Sequence, residues 1–381
     1  MKRGFYTIMA AQFFSSLADN ALLIAAIALL IEMHAPDWMK PLLKLFFTVS
    51  YVMLAPFVGA LADSMPKGRV MFVTNLVKIA GCLLMFFTIH PLLAYAVVGF
   101  GAAAYSPAKY GILTELLPPE KLVAANGWIE GTTVGSIILG TVLGGALISP
   151  SVAGTLLAFD MPLVDTGVDT PAESAIMVIS VFYAIAAAFN LGIPDTGARY
   201  PQQARNPFRL VREFLGCCRI LWKDKLGQIS LAVTTLFWGA GATLQFIVLD
   251  WARHALGLPL NRAAILQGVV ALGIAIGAML AARAVRLRDS LRVLPVGVAM
   301  GLAVPLMTLV SSELVAFPLL VLVGAMAGFF VVPMNALLQH RGHVLMSAGH
   351  SIAVQNFNEN LNILLMLGLY ALLIRLDLHI N

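Results

Sequence analysis

The chain has 381 residues, of which 60% are apolar and 11% charged, and its mean hydropathy is +0.90. A soluble domain carries about 25% charged residues, so this composition cannot cover a water-exposed surface and excludes a soluble enzyme. Apolar segments near 20 residues recur along the chain, as expected for a polytopic α-helical membrane protein. The net charge of +5 does not indicate a nucleic-acid partner, because in a membrane protein the location of basic residues matters more than their sum.

Eleven membrane spans are predicted. In chain order they lie at 6–31, 42–62, 70–89, 92–114, 122–148, 174–192, 228–249, 264–283, 292–311, 315–338 and 351–374. Two connections are long: 149–173 is acidic, and 193–227 carries seven Lys and Arg residues. We therefore expect a six-helix bundle at 1–192, a basic cytoplasmic linker at 193–227, and a second bundle of five spans at 228–381.

The distribution of basic residues predicts the orientation. With the N-terminus in the cytoplasm, 17 of the 24 Lys and Arg residues fall in cytoplasmic segments, 5 fall on the opposite side, and Lys78 and Lys109 fall within spans. Cytoplasmic loops of membrane proteins carry an excess of Lys and Arg. A cytoplasmic N-terminus is therefore predicted.

The turn between spans two and three carries a recognisable pattern. Gly59 and Asp63 end one span, and Lys67 and Arg69 begin the next. This arrangement resembles the loop signature of the major facilitator superfamily, although that pattern favours a base at position 64 and glycine at position 66. An ordinary cytoplasmic turn is the alternative interpretation.

Transporters of this superfamily have two helical bundles and usually twelve spans, six in each half. The resemblance therefore implies the same fold here, with about eleven spans in this sequence. We expect either that the twelfth span is missing from this sequence or that the protein functions without it.

Five charged side chains lie within predicted spans and away from their ends, where each costs about 2.5–3.5 kcal/mol or more. They are Asp19, Lys78, Lys109, Glu130 and Glu359. Three acids and two bases can pair inside a helical bundle. We interpret them as a polar path for a substrate, with Asn20 adjoining Asp19.

Each of these residues also has a structural interpretation. Lys109 is close enough to a span end to extend its amine to the lipid head groups. Lys78 and Glu130 form a candidate pair between spans three and five. Asp19 lies near mid-span, and its side chain is too short to extend to the lipid head groups, which favours a functional role. Asn356, Glu359 and Asn360 share one helix face, so this face is expected to border a cavity or other polar helices.

Three helices carry residues typical of local flexibility or close packing. Glycines at 239 and 241 predict a break in span seven near Gln245, and Pro333 predicts a kink in span ten whose freed backbone groups bond Asn335. Span five has five glycines, which favour either close helix packing or a moving hinge; they are Gly131, Gly135, Gly140, Gly144 and Gly145.

Motifs for other classes of function are absent from the sequence. It has no phosphate-binding GxxxxGK[ST] loop, no GxSxG nucleophile element and no His/Cys cluster with metal spacing. We therefore expect a carrier rather than an enzyme, with no cofactor and no metal.

Five segments resemble the bacterial lysophospholipid transporter family, and the similarity covers nearly the whole chain. They are 18–23, 103–113, 236–241, 328–339 and 353–356, with Tyr105 to Leu113 the most specific. The resemblance implies an inner-membrane flippase that moves lysophosphatidylethanolamine and lysophosphatidylglycerol to the cytoplasmic leaflet. An acyltransferase/acyl-carrier-protein synthetase then re-acylates these lipids.

The resemblance also implies roles for single residues. The charged pathway residues of the family match Asp19, Lys109 and Glu359, whereas Gln245 stands where the family has an arginine. We expect Lys109 and Lys78 to attract the phosphate of the substrate, and Asp19 and Glu359 to meet its ammonium group. A proton-driven exporter of drugs or other small molecules is the alternative function, and a scaffold without transport is a third.

Overall fold

The structure, a computed structural model, describes residues 3–36, 38–87, 89–158, 170–201, 203, 206–254, 256–257 and 260–375. Within these ranges all regular structure is helical. The α-helices are α1 (Arg3–Glu32), α2 (Met39–Ser64), α3 (Lys67–Phe86), α4 (Pro91–Leu116), α5 (Leu122–Leu147), α6 (Pro150–Leu157), α7 (Pro171–Leu191), α8 (Pro207–Lys223), α9 (Lys225–His254), α10 (Leu260–Ala284), α11 (Leu294–Leu306), α12 (Glu313–Leu345) and α13 (Ala348–Arg375). The expected all-α polytopic class is confirmed.

Ten helical segments among the described residues are long and apolar enough to cross a membrane, and they coincide with the first ten predicted spans. The eleventh predicted span coincides with α13, which has 28 residues. This helix is less apolar than the ten because Asn, Gln and Glu side chains crowd its positions 355–362.

Helix boundaries follow local chemistry. Proline is the first residue of α4, α6, α7 and α8. It suits this position because the N–H of a first helical residue has no partner within the helix, and proline has no N–H. At the start of α7, the Glu173 N–H donates to Thr170 Oγ1 at 3.2 Å and the Thr170 N–H donates to Glu173 Oε2 at 3.1 Å. This reciprocal pair is a capping box, which pairs two backbone donors at the helix end.

The two long connections contain helices that sequence reasoning did not predict. The acidic connection holds the short helix α6, and the basic connection holds α8, which has 17 residues. Helix α12 also continues seven residues past its predicted end, to Leu345. The acidic stretch at 159–169 lies outside the described residues.

The chain divides into two compact units. The first comprises Met1–Ile112 and Gly135–Val211, and the second comprises Leu113–Val134 and Arg212–Asn381. The expected division at 1–192, 193–227 and 228–381 stays a prediction.

Unit 1 has a core of mostly small and aliphatic side chains from α1, α2, α3, α4, α7 and the end of α5. The second half of α5 packs against α1 through two glycines. A Cβ atom at Gly140 would lie 2.5 Å from the Leu17 carbonyl oxygen, and one at Gly144 would lie 2.8 Å from the Ala21 carbonyl oxygen. The close approach of these two backbones therefore requires glycine, which confirms the packing interpretation for these two of the five glycines.

Unit 2 also depends on close backbone contact. Glycines of α10 and α12 face each other's backbones, so that a Cβ at any of them would meet a backbone atom of the other helix; they are Gly273, Gly277, Gly324 and Gly328. The first half of α5 joins this unit, because Gly127 packs against Ala278 and Ala282 of α10.

The expected break in span seven is wrong. Helix α9 is continuous from Lys225 to His254. Gly239 instead makes room for Asn362 of α13, whose Nδ2 donates to the Thr235 carbonyl oxygen at 2.9 Å. The glycine is needed for packing between α9 and α13, so its presence did not signal a bend.

Gly144 and its neighbour Gly145 allow a direct test of this packing. Gly144 is buried, whereas a Cβ at the exposed Gly145 meets no heavy atom within 4 Å among the described residues. Gly144→Ala is expected to lower the free energy of unfolding by about 1–3 kcal/mol through overpacking against α1. Gly145→Ala should raise it by up to about 1 kcal/mol, because alanine favours helix. Unfolding of the purified full chain in detergent measures both, and equal effects would contradict the packing account.

Candidate functional site

Asp19 and Lys78 form a buried ion pair within unit 1. Asp19 lies in α1 and Lys78 in α3, and the Lys78 amine donates to both carboxylate oxygens of Asp19 at 2.8 Å. The Lys78 side chain is 1% exposed and that of Asp19 is 21% exposed. Asp19 is therefore the ion-pair partner of Lys78 within unit 1, and the pairing of Lys78 with Glu130 considered from sequence stays a prediction.

Neutral groups surround this ion pair. The Tyr183 hydroxyl of α7 donates to Asp19 Oδ1 at 2.7 Å, and the Lys78 amine also donates to Ser15 Oγ at 3.0 Å. The Ser15 hydroxyl in turn donates to Asn75 Oδ1 at 2.8 Å. Each charge therefore has an opposite charge and further hydrogen bonds, which a buried ion pair needs to offset its desolvation cost.

Aromatic rings complete the surroundings of Lys78. Its amine lies 5.0 Å from the ring centroid of Tyr105 and 5.4 Å from that of Tyr183. At these distances the negative faces of the rings attract a cation. The lysine is thus held from three helices, α1, α4 and α7, whereas only the carboxylate of the pair is partly exposed.

Two other candidates of unit 1 have contacts of their own. The Asn20 side chain bonds its own helix, since its Nδ2 donates to the Ser16 carbonyl oxygen at 2.7 Å. Lys109 in α4 is half-buried, and its amine lies 4.1 Å from the ring centroid of Tyr110.

Glu359 is the centre of a polar cluster in unit 2. It is buried in α13, and Gln355 Nε2, one turn earlier, donates to its Oε1 at 2.8 Å. The same nitrogen donates to Asn335 Oδ1 of α12 at 3.1 Å, and Thr234 of α9 is a further hydrogen-bond partner of Glu359. The cluster therefore joins three helices, and amide and hydroxyl groups bond the carboxyl.

The remaining candidates of unit 2 lie around this cluster. Asn356 is buried on α13, and Glu130, buried in the first half of α5, is close enough for its charge to interact with Glu359. Gln245 is exposed on α9 and bonds Gln267 of α10, with its Nε2 3.0 Å from Gln267 Oε1. Asn335 bonds Gln355 rather than backbone groups freed at Pro333, so that expectation is wrong.

Several polar partners were missed from the sequence. Tyr183 lies in an apolar span, where the only signal is that a buried tyrosine hydroxyl needs an acceptor. In unit 2, Asn126 and Gln339 exchange two amide hydrogen bonds, each of 2.9 Å. Pairs this far apart in the chain leave no local pattern.

The turn between α2 and α3 contains a second buried ion pair. Asp63, in the last turn of α2, accepts a hydrogen bond of 2.8 Å from Lys67 at the start of α3. Lys67 also donates to the Ala62 carbonyl oxygen at 3.0 Å and lies 4.8 Å from the Tyr200 ring centroid. Gly59 is buried and Arg69 is exposed. The predicted acid and base therefore pair with each other, while Arg69 faces outward.

Asp63→Asn is expected to lower the free energy of unfolding by about 3–5 kcal/mol, because it leaves the Lys67 amine buried without its counter-charge. The double variant Asp63→Asn/Lys67→Met should recover part of this loss. Unfolding of the full chain in detergent is the measurement.

The matched control for that experiment is the exposed Asp195–Arg199 pair, whose side chains are 45% and 67% exposed. Arg199 lowers the pKa of Asp195 to about 2, so Asp195 is charged at neutral pH, yet Asp195→Asn should have little effect on stability in water. Equal losses at Asp63 and Asp195 would overturn the account of the turn.

No group of three or more His, Cys, Asp or Glu side chains among the described residues is arranged to hold a metal ion. Nor does any of the ion pairs above resemble a nucleophile with its base. The chemistry that the described polar clusters offer is recognition of charged and hydrogen-bonding groups.

Comparison with known proteins places the chain in a family. The family model of the Major Facilitator Superfamily matches residues 8–365. The lysophospholipid transporters LplT of Yersinia pestis (strain Pestoides F) and Yersinia pseudotuberculosis serotype O:3 (strain YPIII) are each 44% identical over 377 residues, which cover 99% of this chain and 88% of theirs.

Solved structures are similar in fold. A bacterial homologue of the iron transporter ferroportin, in its outward-facing state, has a TM-score of 0.73 at 16% identity. The match covers 98% of this chain and 93% of the homologue. The human organic anion transporter MFSD10 has a TM-score of 0.70 at 18% identity, with 92% of it and 96% of this chain covered. The chain therefore belongs to the major facilitator superfamily and, within it, to the family of the LplT proteins.

Proposed function

We propose that this chain is a lysophospholipid transporter of the bacterial inner membrane. It moves lysophosphatidylethanolamine and lysophosphatidylglycerol from the outer to the inner leaflet, with its N-terminus in the cytoplasm. It acts as a carrier rather than an enzyme and needs no cofactor. The names of its relatives, the ten apolar helices among its described residues and the distribution of its basic residues support this proposal.

The observation that carries the proposal is the Asp19–Lys78 pair. A lysophospholipid has a phosphate, and lysophosphatidylethanolamine adds an ammonium group, so its head must exchange water for fixed charges inside the membrane. A paired acid and base have no net charge, so before substrate binds the protein can bury them at a lower desolvation cost than either charge alone. During transport, Lys78 exchanges Asp19 for the phosphate, and the partly exposed Asp19 meets the ammonium group.

The other polar side chains extend this path. Lys109 attracts the phosphate, and Glu359 meets the ammonium group with Glu130, Asn335 and Asn356 nearby in its unit. Asn20 and Gln245 contribute hydrogen-bonding groups. The ion-paired turn of Gly59, Asp63, Lys67 and Arg69 controls conformational change, because its bonds between α2 and α3 must rearrange if these helices move apart.

The proposed product leaves at the cytoplasmic leaflet. A lysophospholipid delivered there needs a second acyl chain to become a bilayer lipid again. We therefore propose an acyltransferase/acyl-carrier-protein synthetase as the functional partner, which takes up the flipped lipid.

Uptake by bacterial spheroplasts tests the proposal. Labelled lysophosphatidylethanolamine is added outside, and its conversion to the diacyl lipid is measured with and without this protein. Conversion should depend on the protein and should fall at least about tenfold in Asp19→Ala and Glu359→Ala, since each loses a charge that a buried substrate group needs.

The control for these variants is Asp195→Asn, which removes an exposed carboxylate of unit 1 and should transport at the wild-type rate. The amount of each variant in the membrane is measured in parallel, so that loss of folding is separated from loss of transport. Equal conversion with and without the protein would contradict the proposal, and wild-type transport by Asp19→Ala would remove Asp19 from the path.

One observation favours the alternative of a proton-coupled exporter. The hydrogen-bond partners of Glu359 are neutral amide and hydroxyl groups, so this carboxyl can exchange a proton without breaking an ion pair. A proton-coupled exporter requires a transmembrane pH gradient, whereas the proposed flippase does not. Transport measured with and without such a gradient distinguishes them.

A further inference from the structure

Helix α8 of the basic connection has no role in the path above, yet among the described helices it separates its polar and apolar side chains most strongly. It has four basic residues and one acidic residue among 17. Its C-terminal residue, Lys223, is separated by Asp224 from α9, which is long and apolar enough to span the membrane. The C-terminal end of α8 therefore lies at the membrane surface.

The part of α8 from Arg212 onward belongs to unit 2 and packs against α13 on one face. Phe214 and Leu221 are buried on this face, and the Phe214 ring packs edge-on against Phe357 of α13 at a centroid distance of 5.4 Å. Trp222 Nε1 donates to Asn358 Oδ1, also on α13, at 3.3 Å. These contacts determine which sides of α8 face outward.

The junction with α9 is also held firmly. Asp224 accepts hydrogen bonds from Arg341 of α12, and the Gly227 N–H donates to Asp224 Oδ2 at 2.8 Å. Arg341 lowers the pKa of Asp224, so this junction stays ion-paired at and well below neutral pH. The orientation of α8 is thus fixed by an ion pair as well as by packing.

The outward side of α8 divides into two stripes. Phe208, Val211, Leu215 and Trp222 follow one another at helical spacings of three, four and seven residues and form an apolar stripe. Phe208 is 87% exposed and Leu215 is 59% exposed, which is unusual for large apolar side chains in water. Arg212, Arg219 and Lys223 are also exposed and form a basic stripe beside it.

We propose that α8 lies in the membrane interface, with its apolar stripe among the acyl chains and its basic stripe on the head groups of anionic phospholipids. An exposed apolar stripe beside a basic one is the pattern of helices that bind anionic lipid surfaces. This inference depends on the membrane spans and is independent of the transported substrate.

The proposal is tested in the full chain by measuring how deeply position 215 lies in the membrane and which lipids it contacts. The three cysteines, Cys82, Cys217 and Cys218, are replaced by serine, and a probe is attached at Leu215→Cys or, as a control, at Gly216→Cys on the basic side. In liposomes of mixed phosphatidylglycerol and phosphatidylcholine, the Leu215 probe should be shielded from an aqueous quencher and the Gly216 probe should be more accessible.

Charge is tested with brominated lipids. Quenching of the Leu215 probe should show phosphatidylglycerol enriched over its bulk fraction. The triple variant Arg212→Gln/Arg219→Gln/Lys223→Gln should lower the affinity of this surface for phosphatidylglycerol, relative to phosphatidylcholine, by about tenfold or more at low salt. The reason is that each basic residue contributes to the attraction of an anionic surface. The control is Arg288→Gln/Arg292→Gln, which removes two bases elsewhere in unit 2 and should retain the enrichment.

Two results would overturn the proposal. A Leu215 probe that is fully accessible to the aqueous quencher would show that the apolar stripe faces water or another macromolecule. A phosphatidylglycerol fraction equal to the bulk value, in wild-type background, would show that the basic stripe does not select anionic lipids. Neither result depends on whether lysophospholipids are transported.

Discussion

The buried ion pair of Asp19 and Lys78 constrains how the helices around it pack. Either charge alone would be costly inside the membrane, so α1 and α3 must stay close enough for the 2.8 Å contacts between them. Tyr183 brings α7 to the same point. The glycines at 140 and 144 then allow α5 to pack closely against α1. The arrangement of unit 1 thus follows from the need to neutralise two charges.

In unit 2, the buried carboxyl of Glu359 and two buried amides have neutral partners instead. Glu359 is bonded by Gln355 and Thr234, which are neutral, and the amides of Asn126 and Gln339 pair with each other. Hydrogen bonds to neutral groups cost less to rearrange than a buried ion pair. In the proposed mechanism, the two units therefore offer a substrate head group different partners: a separable acid and base in one, and a carboxyl among amides in the other.

The sequence predicted the helices well, because hydropathy over 20 residues determines where a chain can span a membrane. It also drew attention to Asp19, Lys78 and Glu359, because a charged residue within a span is rare; their role in transport stays a prediction. It did not predict which charges pair: Lys78 and Asp19 are 59 residues apart, and only packing of α1 on α3 brings them together. The glycines of α9 were misread for a related reason, because a glycine that admits Asn362 and a glycine that permits a bend look the same in sequence. Helix α8 was not predicted because the basic residues of 193–227 indicated a cytoplasmic linker.

In the proposed mechanism, the Asp19–Lys78 pair acts on the substrate and does not merely hold α1 and α3 together. The initial rate of lysophosphatidylethanolamine flipping in liposomes that contain the purified full chain tests it most directly. The charge-swapped variant Asp19→Lys/Lys78→Asp and the neutral variant Asp19→Asn/Lys78→Met both avoid an unpaired buried charge. If the account is correct, both variants remain folded and lose at least about tenfold in rate, which corresponds to about 1.4 kcal/mol in the barrier. Folded variants that flip the lipid at the wild-type rate would show that the pair is structural and would contradict the account.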